Sequence, residues 1–167
     1  MASRTEQPPW RAAHGTGISQ TVLVACAPFG PRLSAASVAG AIARGLQEVG
    51  LPEPDLCLLP LAGERGDGVE GVEDVRALVN GLGFDARMRR ARAVVVAAPL
   101  LEERTLAGSV TFEIATRARQ AGVPAYAVTG ENALNAFDAR ILDLQVIVVA
   151  RGRAALVSAG VKLAALA

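Results

Sequence analysis

The sequence is poor in the residues that usually build metal centres and general-base catalysts. It has one histidine, His14, and two cysteines, Cys26 and Cys57. A zinc site needs several Cys or His ligands, and a Ser-His-Asp triad needs a histidine that the fold positions. His14 lies in a polar N-terminal stretch, which argues against both. Each cysteine sits in an apolar run, so we expect two buried free thiols, with a disulfide or metal pair as the alternative.

Long apolar runs and a large net charge are also missing. No segment reaches the ~18 consecutive apolar residues of a membrane span, and residues 1–20 lack the apolar stretch of a signal peptide. The net charge of +1 gives no reason to expect nucleic acid or an anionic membrane as a partner. We therefore expect a cytoplasmic protein with a flexible polar tail over residues 1–20, although Trp10 docked on the body is an alternative.

What the sequence does contain is small apolar side chains. Hydrophobic residues make up 51% of the chain and aromatic residues 4%, so the core must consist of Ala, Val and Leu. A domain near 150 residues hides roughly 70% of the surface of its unfolded chain, which is enough for a real core. The length of 167 residues suits one domain, which we place at residues 21–167.

Short apolar segments alternate with helical patterns along the chain. Ser34 is a plausible N-cap for the first helix, and Gly50 and Pro52 follow it. The alternation predicts an α/β fold: a single Rossmann-like domain with a mostly parallel sheet of about five strands and helices on both faces. The expected strands are 21–27, 55–61, 92–100, 123–130 and 144–150, and the expected helices are 36–50, 72–83, 105–122 and 152–167. Residues 84–92 read as a basic polar connector, and residues 131–142 read as a loop with at most a helical turn.

A glycine-rich segment over residues 62–71 carries three acids, Glu64, Asp67 and Glu70. It lacks the Gly-Lys-Ser/Thr of a Walker loop. Its acids repel phosphate unless a divalent cation bridges the two. A solvated loop is the alternative interpretation.

Charged residues follow the third expected strand, at Glu102, Glu103 and Arg104. Because ligands of α/β proteins bind outside the carboxyl ends of the strands, a carboxylate here could hold a metal or act as a base. The alternative is a charged first helical turn, which the helix dipole favours.

Two weaker patterns have ordinary explanations. The triplet Thr129-Gly130-Glu131 follows the fourth strand and could touch a ligand, but it also fits a simple strand exit. A cluster of arginines could bind an anion, although arginine-rich connectors are usually solvated; its members are Arg87, Arg89, Arg90 and Arg92.

Several short motifs occur in the order found in one enzyme family. They are Phe29 with Leu33-Ser34-Ala35, the helix pattern over residues 38–46, Pro60-Leu61-Ala62, Thr105-Leu106-x-Gly108 and Gly122-Val123-Pro124. With these motifs the chain resembles the bacterial glycerate kinase family over residues 21–167. The resemblance implies a Rossmann-like domain and an ancestral use of ATP and glycerate.

The chain departs from this family in length. The family carries a second domain inserted within the Rossmann-like one, and its active-site cleft lies between the two. Here the chain passes from the helix at 72–83 almost directly to the strand at 92–100. The resemblance therefore predicts that the inserted domain is missing.

A second departure is chemical. Where the family has Asp, Ser and Lys around its Phe, this chain has Ala27, Pro28 and Gly30. The Thr-Gly-Glu-Gly-Arg run at the end of the third strand is replaced by residues 96–100, with Glu102 at the place of a nearby Asp. The Gly-Lys that follows Thr-Leu in the family is Gly108-Ser109 here. Phosphoryl transfer depends on cations and bound metal, so these changes predict loss of that activity.

Three functions fit these observations. The leading interpretation is a binding or assembly module that has no catalytic residues or cofactor and forms a homo-oligomer. An active glycerate kinase is the alternative, with ATP and magnesium held by Glu102 and the acids of residues 62–71, and with Arg32 or Arg65 as the cation. A non-catalytic sensor of a small ligand or nucleotide is the third, using Ser34 and nearby loop amides. The candidate ligand-binding residues are Arg32, Ser34, Glu102, Thr105 and Gly108.

Overall fold

The computed structural model describes residues 21–60 and 72–167. Its centre is one five-stranded sheet in which all paired strands run parallel, in the order β2-β1-β3-β4-β5. The strands are β1 (Val22–Cys26), β2 (Asp55–Leu58), β3 (Ala93–Leu101), β4 (Ala125–Asn132) and β5 (Ile147–Val149). This confirms the predicted α/β class with a single Rossmann-like sheet.

The helices cover both faces of the sheet. They are α1 (Ala35–Glu48), α2 (Val72–Gly81), α3 (Phe84–Met88), α4 (Val110–Ala121), α5 (Ala136–Leu142) and α6 (Arg153–Ala164). Helices α1 and α6 pack on one face, while α2, α3 and α4 pack on the other. Within the described ranges, every helix is too short or too polar to cross a membrane.

Strand β1 shows why an apolar run without alternation forms a central strand. Val22, Val24 and Cys26 face α1 and α6, whereas Leu23 and Ala25 face the opposite helix layer. All five residues are buried, because a parallel strand between two helix layers has no solvent face.

The two cysteines lie on opposite faces of the sheet. Cys26 belongs to the core under α1, Cys57 belongs to the core under α2, and both are buried free thiols, as predicted. Burial raises the pKa of Cys26 to about 12, with a smaller contribution from Cys57, so this thiol stays protonated at neutral pH.

Helices α1 and α6 approach so closely that their backbones touch. A Cβ atom built on Gly45 would lie 2.0 Å from the carbonyl oxygen of Val157, and one built on Gly160 would lie 2.3 Å from that of Ile42. Only glycine fits at these two positions, and their contact sets the distance between the helices.

Three segments differ from the sequence prediction. Residues 84–88 form α3, with Phe84 and Met88 buried, instead of a polar connector. The expected continuous helix over residues 105–122 is divided into a 3-10 helix (Glu103–Leu106) and α4, because Gly108 has a φ of 88° and Ser109 caps a new helix. Residues 136–142 form α5, two turns rather than a loop.

Two predicted segments lie outside the described residues. They are the segment with Glu64, Asp67 and Glu70 and the tail with His14 and Trp10.

Candidate functional site

The crevice of this fold lies between the carboxyl ends of β1 and β3. The chain leaves β1 toward α1 on one face and leaves β3 toward α4 on the other, which opens a gap where ligands of such sheets usually bind. Arg32 and Ser34 lie on the connection after β1, and Glu102, Thr105 and Gly108 lie on the connection after β3. All five residues predicted to contact a ligand therefore flank this crevice.

The loop after β1 is closed on itself. The backbone N–H of Phe29 donates to the carbonyl oxygen of Leu33 at 2.9 Å, and the N–H of Leu33 donates to the carbonyl oxygen of Gly30 at 3.3 Å. Gly30 has a φ of 93°, a left-handed conformation that glycine adopts without strain. Two of the amides that could have faced an anion are thus used within the loop.

The side chain of Phe29 lies beside the carboxyl ends of β3 and β4. A Cβ atom built on Gly130, in β4, would lie 3.7 Å from Cδ2 of Phe29 and 2.8 Å from the carbonyl oxygen of Pro99, in β3. The ring therefore reaches from the β1 loop across the end of β3 to β4, and it also packs on the core beneath α1. The ring is partly buried and packs on the α1–α6 face of the sheet, next to the switch point.

Ser34 has the capping role predicted for it. Its hydroxyl oxygen accepts from the N–H of Ser37 at 3.2 Å and lies 3.0 Å from the Ser37 hydroxyl. These contacts fix the start of α1 and satisfy one of the N–H groups that a helix leaves unpaired at its beginning. Arg32 is exposed, and no hydrogen bond or ion pair joins its side chain to another described residue.

Glu102 and Thr105 are brought together by a cap. The Thr105 hydroxyl accepts from the Glu102 N–H at 2.9 Å, and the Thr105 N–H donates to the Glu102 carbonyl oxygen at 2.8 Å. Thr105 is buried, while Glu102 also lies 3.4 Å from the exposed Arg104. The arrangement matches the alternative of a charged first turn, and the Glu102 carboxylate is paired with Arg104.

Gly108 links this cap to the next one. Its positive φ lets the chain turn back, so that the Ser109 hydroxyl donates to the Thr105 carbonyl oxygen at 2.7 Å and accepts from the Phe112 N–H at 3.1 Å. In this structure Gly108 shapes the entry to α4. Thr129 likewise continues β4, with its buried hydroxyl donating to the Glu131 carbonyl oxygen at 2.8 Å.

The arginine cluster lies at the opposite end of the sheet, where the strands have their amino ends. Arg87 donates to both carboxylate oxygens of Asp55, at 2.5 and 2.9 Å, and to the Leu56 carbonyl oxygen at 2.7 Å. The hydrogen bonds from Arg87 hold the pKa of Asp55 below its ordinary value. Arg92 donates to the Ala167 carbonyl oxygen. Two of the four arginines therefore tie elements together, and sequence alone did not indicate their partners.

A cavity between α1 and α6 was not predicted from the sequence. It measures about 380 Å³ and is lined by Ala36, Ser37, Gly40, Ala41, Arg44, Arg153 and Val157. Its signal in the sequence is faint: a glycine inside a helix and two arginines more than a hundred positions apart. Among residues 21–60 and 72–167, no group of three or more His, Cys, Asp or Glu side chains is placed to hold a metal ion.

The comparisons with known proteins give little to add to this geometry. No protein-family model and no curated protein matches the chain. Among solved structures, the chain is similar to an oxidoreductase from Corynebacterium diphtheriae, with 14% identity and a TM-score of 0.43, over 89% of this chain and 97% of that one. A likeness of this size carries no conclusion about this chain.

Proposed function

We propose that the chain is a glycerate-kinase-like Rossmann domain that acts as a binding or assembly module and does not transfer a phosphoryl group. The observation that carries the proposal is the position of Phe29, whose ring lies near Gly130. In our proposal this ring closes the crevice. A nucleotide or glycerate at the usual place would have to displace this ring from the core on which it packs.

The surroundings of the ring support the same conclusion. Ala27, Pro28 and Gly30 carry no charge, and the end of β3 is formed by Pro99 and Leu100. Stabilising a phosphoryl transition state takes cations and metal ions aimed at the developing charge, and each such donor is typically worth ~10²-fold or more in rate. Of the predicted ligand contacts, only Arg32 supplies positive charge near the crevice.

The connection from α2 to β3 supports the loss of the inserted domain. Gly81, the last residue of α2, is followed by the short α3 and then by β3, which begins at Ala93. In our proposal, α3 closes the place where the family inserts its second domain. The two buried free thiols fit a reducing compartment, so we also propose a cytoplasmic location.

The test is a coupled assay of ADP release from Mg-ATP with D-glycerate, using high concentrations of the purified full chain. We expect no turnover above the blank without protein, and the same result for Glu102→Gln. Turnover by the unchanged chain that disappears in Glu102→Gln would establish the kinase alternative and end this proposal.

For assembly we propose a second copy of the chain as the partner. Among the described strands, β2 is an edge strand paired with β1 alone. Leu56 and Leu58 lie on one face of it and are 38% and 45% exposed. A two-fold axis beside β2 would bring the same leucines of both copies together, as in isologous dimers.

Light scattering across micromolar concentrations tests this assembly. We expect a dimer that Leu58→Ser shifts to monomer, since the substitution removes apolar surface from the contact. The matched control is Val149→Ser on the opposite edge strand, where Val149 is 54% exposed. A monomer at every concentration, or equal dimers for both variants, would exclude β2 as the interface.

A further inference from the structure

We propose that the cavity between α1 and α6 binds a small phosphate-type dianion. The cavity lies on the outer side of the helix layer, on the amino-terminal side of the Gly45–Gly160 contact. Its volume of about 380 Å³ is within the range of small-molecule sites. It lies apart from the crevice beside Phe29, so the inference does not depend on the function proposed for that crevice.

The charged residues that line the cavity are both positive. Arg44 lines it from α1 and Arg153 lines it from α6, and no lining residue is acidic. Glu48, one turn beyond the cavity, lies 3.2 Å from Nε of Arg44. The terminal nitrogens of Arg44 and the whole guanidinium of Arg153 make no hydrogen bond or ion pair with the residues that the structure describes. Two guanidinium groups are thus available to one ligand.

Gly40 keeps the floor of the cavity open. It lies in the interior of α1 with an ordinary helical backbone, where glycine is less favourable than alanine. A Cβ atom built on it would meet nothing within 4 Å, unlike one built on Gly45 in the same helix. Packing between described residues therefore does not explain this glycine. Together with Ala36 and Ala41 it leaves a floor without side-chain bulk beneath the two arginines.

The chemical class of the ligand follows from these features. A tetrahedral dianion can accept hydrogen bonds from two guanidinium groups at once, while a single carboxylate is satisfied by one. The Ser37 hydroxyl, which also lines the cavity, supplies a further polar contact. The floor of small apolar residues leaves room for a short organic body attached to the phosphate.

The test is isothermal titration calorimetry of inorganic phosphate into the full chain at low ionic strength, where charge interactions are screened least. We expect saturable binding at one site. Arg44→Gln and Arg153→Gln should each weaken it by about 10-fold or more, because each removes a charge-assisted donor. The matched control is Arg119→Gln, an exposed arginine on α4 whose loss should leave phosphate binding unchanged.

A filled cavity separates this site from general attraction to a basic surface. Gly40→Leu keeps every charge and places a side chain in open space, so the variant should fold and should lose phosphate binding. Its thermal unfolding, measured in parallel, should be no lower than that of the unchanged chain. Acetate should bind more weakly than phosphate to the unchanged chain. Absence of saturable phosphate binding up to about 20 mM, or equal binding by Gly40→Leu, would overturn the proposal.

Discussion

The helices on the two faces of the sheet are held together by different kinds of interaction. On one face, α1 and α6 meet backbone to backbone at Gly45 and Gly160, and the fit leaves no room for a methyl group. On the other face, α2, α3 and α4 are joined by a side-chain network around Arg117. The packing of helices on the first face requires residues without side chains at the contact. The packing on the second face requires charged side chains that remain paired.

Two side chains at the centre of the network on the second face, Arg117 and Glu113, are shielded from water. Arg117 donates to Glu113 at 2.8 Å, to Asn80 at 2.7 Å and to Asp85 at 3.2 Å. The side chains of Arg117 and Glu113 are both 13% exposed, and Arg76 lies 3.8 Å from Glu113. One residue on α4 thus bridges α2 and α3, and losing it would leave a shielded carboxylate with one distant partner.

The largest effect should come from adding one methyl group to the glycine face. Gly45→Ala would place Cβ 2.0 Å from the Val157 carbonyl oxygen, which forces α1 and α6 apart. We expect the free energy of unfolding to fall by about 3 kcal/mol or more, because overpacking of a rigid backbone contact cannot relax locally. Urea denaturation followed by circular dichroism measures this.

Gly40→Ala is the matched control in the same helix. Its added Cβ meets open space, so removal of a helix-interior glycine should raise the free energy of unfolding by about 0.5–1 kcal/mol. Opposite signs for the two variants support the account of the α1–α6 contact. A loss below about 1 kcal/mol for Gly45→Ala would contradict it.

An intermediate effect is expected on the charged face. Arg117→Met keeps the length of the side chain and removes its charge, leaving Glu113 shielded and poorly paired. The expected loss of stability is about 1–3 kcal/mol, the usual range for a polar group left unsatisfied. Arg119→Met, at an exposed position of the same helix, should change stability by no more than about 0.5 kcal/mol. Similar losses for both variants would show that the network adds nothing.

The smallest change in stability should come from the Asp55–Arg87 ion pair, which lies at the amino ends of the strands. The pKa of Asp55 is lowered in the folded state, chiefly by hydrogen bonds from Arg87. The stabilisation is therefore present above the unfolded pKa, near 4, and is lost as pH falls below it. Because the Asp55 side chain is 38% exposed, solvent screening limits the effect to about 0.5 kcal/mol.

Asp55→Asn should remove this pH-dependent contribution. The variant should be less stable than the unchanged chain at pH 7, and the difference should shrink as the pH approaches 3. Chemical denaturation at a series of pH values measures both. A difference that grows toward acid pH would show that the sign is wrong.

The fold was predictable because its signals are local. Strand β1 is apolar at every position, and the Ser34 cap precedes a clear helical pattern, so class and sheet content could be predicted. The break before α4 was missed although its signal was present, since Gly108-Ser109 is a turn followed by a cap. Helix α3 was missed because its two buried residues, Phe84 and Met88, stand among charged neighbours.

The site was less predictable because its decisive contacts are distant in sequence. The five predicted ligand contacts do flank the crevice. Four of them take part in helix caps or turns, and the sequence predicted this local role only for Ser34. The approach of Phe29 to Gly130 brings the loop after β1 to β4, and β1 and β4 are not adjacent in the sheet. Hydrophobic periodicity and local propensity cannot predict this approach, because it depends on the positions at which β3 and β4 end.

The most direct test of the closed crevice is amide chemical-shift mapping of the full chain by NMR, with Mg-ATP and D-glycerate added separately and together. If the Phe29 ring closes the switch point, the amides of residues 29–30, 32–34, 102–105 and 129–131 should keep their shifts throughout the titration. Saturable shifts at these amides would contradict the account: they would show that a ligand displaces the ring and that the crevice still binds.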